Sequence, residues 1–392
     1  MNIIFVKWKC FGAQDFVNAL VTLGHNVSFI DLSDGSLVGL DEEFTNRLCI
    51  HIKKNMTKVV VSFNYYPSVS EACMRMGCRY FAWIYDSPYI KAYDKSITNN
   101  VNFVGTFDSF MADELNRKGV STVYYVPLAV NTNRLKKTIQ NSSKTERVRT
   151  FDSQISFVGS LYNDRNNFYG RLFDASKNVE LVGYLDAVME AQRKIYGYNF
   201  LDECMEDNIV EEIRKFMPYN VSEGSFIDER RVYADYYLGP RMAFLDRKEI
   251  LEILAGYYEV SLYSGTDCKL NNVRNAGRVD YYDEMPIVFN RTKINLNISL
   301  RSIRTGIPLR AMDIMGAGGF LLTNYQEDML RHFEPDKHFT FYTSAEEAVD
   351  KAGYYLEHEE LRQRIAANAY EEMEKNHTYE VRIKEVFEKL KL

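Results

Sequence analysis

The stretch KINLNISLRSIRTGIPLRAMDIMGAGGFLLTNY, residues 293–325, decides the fold. It reads as a strand (293–299), a polar loop carrying Arg301 and Arg304, a short helix opened by Pro308 and closed by Gly316, and a second strand (319–323). Proline suits the first position of a helix because its missing N–H would be unpaired there anyway, and Gly316, Gly318 and Gly319 permit the positive φ angles of a helix exit. This is a β-loop-α-β unit, the building block of a parallel sheet.

Ligands of open α/β sheets sit beyond the carboxyl ends of the strands, where a helix N-terminus offers N–H groups and a positive dipole to an anion. The amides over 305–309, with Arg310 in the first turn, suit a phosphate. Asp313, one turn further on, suits the paired hydroxyls of a ribose. The alternative is that Arg310 and Asp313, at i and i+3, pair on a helix surface.

Working outward, 392 residues favour two domains rather than one core. The net charge of −6 removes the global attraction that non-specific nucleic-acid binding requires, so no nucleic-acid partner is expected. Tyrosine pairs at 65–66, 236–237, 257–258 and 281–282 are either platforms for sugar rings or amphipathic packing. Cysteines 10, 49, 73, 78, 204 and 268 form no C-x-x-C pair, so neither a metal site nor a disulfide framework is expected. The start, MNIIFVKWKC, has too short an apolar run for a secretory signal, and no segment approaches a membrane span. A cytoplasmic protein is expected.

In the first half, strands at 2–8, 26–31, 58–63, 79–85, 101–107 and 121–126 alternate with helices at 15–23, 42–55, 68–76 and 109–118, the pattern of a doubly wound parallel sheet. The opening mimics a dinucleotide site, but only Gly12 stands where G-x-G-x-x-G would need three glycines. Asp86 and Asp108 close two strands and Asp15 lies in the first loop. Each is a candidate general base for an acceptor hydroxyl, and each is equally a turn former or helix cap.

Residues 127–149 turn polar and basic, and we place a linker at 131–150. Strands then resume at 154–161, with Arg165 following as a candidate phosphate ligand. A mainly helical passage runs from 185 to 256, strands return at 259–263 and 279–282, and 338–342 is the last. Ser344 and Glu347 form a capping box, and 361–392 reads as amphipathic helix.

The motifs RTGIPLRAMDIMGAGGFLLTN, KINLNIS and NHTYEVRI resemble the C-terminal domain of the CgeB-like (spore maturation protein) glycosyltransferase family, and FAWIYDSPY and VGTFDSFMADELNRKGVSTVYYVPLAVN resemble the N-terminal domain that accompanies it. The resemblance implies a GT-B fold: two doubly wound Rossmann-like α/β domains facing a cleft, with a helical elaboration in the second. Residues 1–130 would be the acceptor domain, 151–365 the donor domain, and 366–392 a C-terminal helix able to pack back on the first domain. It further implies sugar transfer from a nucleotide-diphosphate sugar, a co-substrate rather than a resident cofactor, to a glycan or protein acceptor, without a metal. Arg165, Gly306 and Arg310 would meet the diphosphate, Asp313 the ribose, and Ser264 with Asp280 and Tyr282 the base. Related retaining enzymes carry two glutamates separated by seven residues. Asp313 matches the second, whereas Thr305 stands where the first would be.

Two other readings compete. One is a GT-B nucleotide-sugar epimerase, which turns over donor without acceptor. The other is a non-catalytic sugar-binding or assembly protein, which the missing glutamate favours. The clustering of Arg301, Arg304, Arg310 and Asp313 in one loop-helix unit, which scaffolding alone does not call for, favours the transferase.

Overall fold

A computed structural model describes residues 1–34, 39–142, 150–163, 168–266 and 269–391. Among these, the apolar runs of the first half form β1 (Asn2–Lys7), β2 (Asn26–Asp31), β3 (Val59–Phe63), β4 (Arg79–Ile84), β5 (Asn102–Thr106) and β6 (Val123–Tyr125). They pair in parallel in the order β2-β1-β3-β4-β5-β6. β3 and β5 are buried throughout, as expected of parallel strands covered on both faces.

The second half repeats the design with β7 (Ser153–Val158), β8 (Val260–Tyr263), β9 (Arg274–Asn275), β10 (Thr292–Asn297), β11 (Leu321–Asn324) and β12 (Thr340–Tyr342). Their order is β12-β11-β10-β7-β8-β9, again parallel, with Ile294 opposite Ile155 and Asn295 opposite Leu321. Ile155, Phe157, Leu262, Ile294, Leu296 and Leu322 build the core on this sheet.

The chain divides into two compact units: Met1–Val130 with Val221–Asp228 and His377–Leu392, and Asn131–Asn220 with Glu229–Asn376. In the first, Tyr379 is buried against Phe16 and Trp83, at ring separations of 6.2 and 6.1 Å, and the Tyr85 hydroxyl donates to its oxygen. The last helical stretch is thus two helices, Glu359–Asn376 and Tyr379–Lys389. Thr378 separates them because its side chain accepts from the Val381 N–H and caps the second.

Two other sequence expectations meet a different local structure. Thr132–Asn141, inside the polar stretch read as a linker, is a helix capped by Asn131, whose side chain accepts from the Arg134 N–H. No strand forms at 279–282. Asp280 instead accepts from the N–H groups of Tyr282 and Asp283, at 2.8 and 2.9 Å, and this side-chain turn curls the backbone. The edge strand is β9, four residues earlier, too short and too exposed to show a period.

The unit quoted at the outset forms as expected: β10, the helix Leu309–Gly316, and β11. Its exit is tight. A Cβ on Gly319 would lie 2.6 Å from the Phe289 carbonyl oxygen and 2.7 Å from Asn295 Nδ2. Gly319→Ala is therefore expected to destabilise the second unit by about 1–3 kcal/mol, since backbone on that side cannot yield cheaply. Urea unfolding followed by circular dichroism checks this, and an unchanged midpoint contradicts it.

Candidate functional site

In the second sheet the chain lays down β7, β8 and β9 in one direction and then crosses back to place β10 on the other side of β7. Strand order reverses between β7 and β10, and such a switch point opens a crevice at the carboxyl ends.

Arg310, in the first turn of the helix Leu309–Gly316, occupies this crevice. Its Nη1 donates to Asn297 Oδ1 at the end of β10 (3.0 Å), and its guanidinium carbon stands 4.6 Å from the centre of the Phe157 ring on β7. Gly159 makes room for it: φ is +156°, and a Cβ there would come 2.8 Å from Arg310 Nη2. The helix starts at Leu309 with Pro308 as its extended N-cap, one position before the first helical place expected of it, and no side chain caps its first N–H groups.

Arg247 reaches the same ring from the helix Gly239–Ala255, with its guanidinium carbon 5.1 Å from Phe157 and 4.8 Å from Tyr162. It is fully buried and donates to the carbonyl oxygens of Ser160 (2.5 Å) and Ile298 (2.9 Å), tying the ends of β7 and β10 together. Among the described residues, no carboxylate pairs with Arg247 or Arg310 at ion-pair distance. Arg231 and Arg301, by contrast, pair with Asp235 and Asp246 at 2.7 and 2.8 Å. Desolvation, and after it the charge of Arg247, push the half-buried Arg310 down to about 9. The two guanidinium groups form a positive centre at the switch point.

The remaining predicted donor residues fall into a second group. Asp313 is buried, and the Tyr281 hydroxyl donates to its Oδ1 at 3.4 Å. It forms no ion pair with Arg310, which bonds Asn297 instead. Arg134 lies over the rings of Tyr281 and Tyr282, at 5.4 and 5.0 Å, and donates to the Tyr282 carbonyl. Asp280 is exposed and holds its turn. Ser264, buried at the end of β8, accepts from the Thr266 N–H. Gly306 is buried in the loop before the helix Leu309–Gly316. Arg165 lies outside the described residues.

Arg301 and Arg304 correct the expectation that their loop is functional as a cluster. Arg301 is buried, stacks on Tyr196 at 3.8 Å, pairs with Asp246 and donates to the carbonyls of Ile195 and Arg193. Arg304 pairs with Asp202 at 3.0 Å and Asp235 at 3.6 Å. Both fasten the helical passage to the loop, a structural task that the sequence did not display because the partners lie 55 to 108 positions away.

In the first unit the three acidic candidates separate. Asp108 caps the helix Ser109–Arg117 by accepting from the Phe110 N–H, and is buried. Asp15 is buried in the first turn of the helix Ala13–Thr22. Asp86, after β4, is solvent-accessible and accepts from Asn64 Nδ2 at 2.6 Å. Among the described residues, no group of three or more His, Cys, Asp or Glu is placed to hold a metal.

Sequence reading missed Arg247, Asn297, Arg134 and Asn64. Arg247 did leave a signal. It sits with Ala243, Ile250, Leu251 and Leu254 on the buried face of its helix, where the 3.6-residue period calls for an apolar side chain.

Two such sheets define a GT-B fold, and comparison with solved structures agrees. A glycosyltransferase from Rickettsia africae superposes over 100% of this chain and 97% of its own, with a TM-score of 0.53 and 12% identity. A UDP-forming α,α-trehalose-phosphate synthase from Burkholderia xenovorans covers 100% and 98%, with a TM-score of 0.54 and 11% identity. HepE of Anabaena, solved with UDP and glucose, covers 100% and 99%, with a TM-score of 0.51 and 9% identity. Residues 245–388 match the family described as glycosyl transferase-like. No curated protein sequence matches the chain. Among the described residues, no helix is long and apolar enough to cross a membrane.

The structural role of Arg301 is testable. Arg301→Met breaks a buried pair and should cost about 3–5 kcal/mol of stability, toward the lower end because Arg193 still reaches Asp246 at 3.4 Å. Thermal unfolding by calorimetry measures the loss. A fully stable Arg301→Met protein would contradict the structural assignment.

Proposed function

We propose that the protein is a glycosyltransferase whose second unit holds a nucleotide-diphosphate sugar and whose first unit supplies the hydroxyl acceptor's base. The observation that carries this is the pair Arg247 and Arg310 at the switch point of the second sheet, with which no carboxylate among the described residues forms an ion pair. A departing nucleoside diphosphate carries the charge that this centre lacks. Arg310 would meet it directly, and Arg247 would add its field from behind, with the uncapped N–H groups of the helix Leu309–Gly316 completing the seat. Gly306 and Arg165 are assigned to the same diphosphate, Asp313 to the ribose, and Ser264, Asp280 and Tyr282 to the border of the base.

The glycosyl transferase-like match over 245–388 includes Arg247, Arg310 and Asp313. The complexes of HepE with UDP and with UDP-glucose make a uridine donor the first to test. The motifs quoted above support placing the chain near the CgeB-like proteins, with a glycan or protein as acceptor and a cytoplasmic site of action. Because two guanidinium groups and a helix dipole neutralise the leaving group in this account, donor binding needs no divalent cation. Of the acidic candidates Asp86 suits the base best, being the accessible one, whereas Asp15 and Asp108 are buried.

The test is a thermal-shift and calorimetric panel of UDP, GDP, dTDP and their sugars, with and without EDTA. A ligand at about 100 times its Kd raises stability by about 2.7 kcal/mol. One nucleoside diphosphate should bind, unchanged by EDTA. Arg310→Gln should weaken it by about 1.5–3 kcal/mol through loss of charge-assisted hydrogen bonds, and should shrink the preference for UDP over UMP. Silence across the panel, or an Arg310→Gln protein with normal affinity, contradicts the proposal.

A further inference from the structure

We infer that Asn64 is a positioning residue for the Asp86 carboxylate. The inference rests on the reading of Asp86 as the acceptor's base. Asn64 follows β3, beside the point where the strand order of the first sheet reverses between β1 and β3. It is buried and holds φ at +62°, in the left-handed region that asparagine tolerates better than most side chains. Its backbone is pinned on both sides: its N–H donates to the Trp83 carbonyl (2.6 Å), and its own carbonyl accepts from Ser62 Oγ (2.6 Å).

The carboxamide then reads both faces of the turn after β4. Its oxygen accepts from the N–H groups of Tyr85 (2.9 Å) and Asp86 (3.1 Å). Two donors fix the oxygen's position, so the amide nitrogen must face Asp86 Oδ2, to which it donates at 2.6 Å. The turn is already closed by the two backbone bonds. The third bond adds nothing to the turn and is made to the Asp86 carboxylate.

An amide donor at that distance favours the ionised carboxylate, which is the form a base requires. Burial pushes the Asp86 carboxyl above its ordinary range and the Asn64 bond pulls it back. The titratable groups near enough to feel the Asp86 charge are Cys10, Tyr66 and Tyr89. Burial pushes Cys10 up to about 12 and both phenols upward, so all three stay neutral around pH 7. Lys91, lowered to about 8 by burial, lies 5.3 Å over the Tyr66 ring rather than on Asp86. Removing the Asn64 donor destabilises the ionised form, so the pH below which the base fails must rise.

The experiment uses the full chain with UDP-glucose as probe and water as acceptor, following UDP release against pH in wild type, Asn64→Asp, Asn64→Gly and Asp86→Asn. Alongside it, 13Cγ-aspartate NMR follows the titration of Asp86 itself, assigned by its disappearance in Asp86→Asn. Asn64→Asp keeps the two bonds to backbone N–H groups but turns an oxygen toward Asp86. Its rising limb should move up by about one pH unit or more, a roughly tenfold loss below the new limb that is recovered at higher pH, with KM for UDP-glucose unchanged. Asn64→Gly keeps the left-handed backbone, removes the amide and should move the limb in the same direction by less. The NMR titration should shift with it, a readout that a purely structural role would leave in place. A wild-type Asp86 titration in both Asn64 variants overturns the inference, whether or not turnover is detected. Normal turnover in Asp86→Asn overturns the base itself, and the positioning role falls with it.

Discussion

Two guanidinium groups share the space beyond the carboxyl ends of β7 and β10 without a carboxylate between them, and the second half of the chain is built around that condition. Burying cations unpaired costs several kcal/mol each, so the fold must offset it. It does so in part with the carbonyls of Ser160 and Ile298, the side chain of Asn297, and the faces of Phe157 and Tyr162. The offset is incomplete, as the depression of Arg310 to about 9 registers. A molecule that only needed stability would place an acid there, as it does beside Arg231 and Arg301. No such acid stands there among the described residues, and the proposed anion would supply the opposite charge.

The helical passage has a role in this centre that its sequence did not announce. Arg247 comes from its last helix, and Arg301 and Arg304 anchor the passage through Asp246 on that same helix and through Asp202 and Asp235 before it. The elaboration thus delivers a charge to the switch point and is pinned to the loop that leads into the helix Leu309–Gly316. Asp246 and Arg247 are neighbours in sequence, yet one serves the anchor and the other the positive centre.

The two doubly wound sheets were legible because parallel strands buried on both faces leave short apolar runs, and the unit at 293–325 was legible because proline and glycine punctuate it. β9 was not, having two exposed residues and no period, and the curl at Asp280 hid in a run of tyrosines that reads as strand. At the site, Arg310 and Asp313 could be found because they lie on one helix behind a recognisable turn. Arg301 and Arg304 were misread because the same cationic loop serves equally for ligands or for distant acids, and only tertiary structure supplies the acids. Asn64 left no mark at all: a lone asparagine after a strand is an ordinary turn residue, and its bonds to Tyr85 and Asp86 span 21 and 22 positions.

The most direct test of the central claim is a crystal structure of the full chain with UDP bound. The account predicts a diphosphate oxygen within about 3 Å of the Arg310 guanidinium, beyond β7 and β10, with the ribose toward Asp313. UDP bound elsewhere in the molecule, or bound in that crevice with Arg310 still engaged by Asn297 alone, would contradict it.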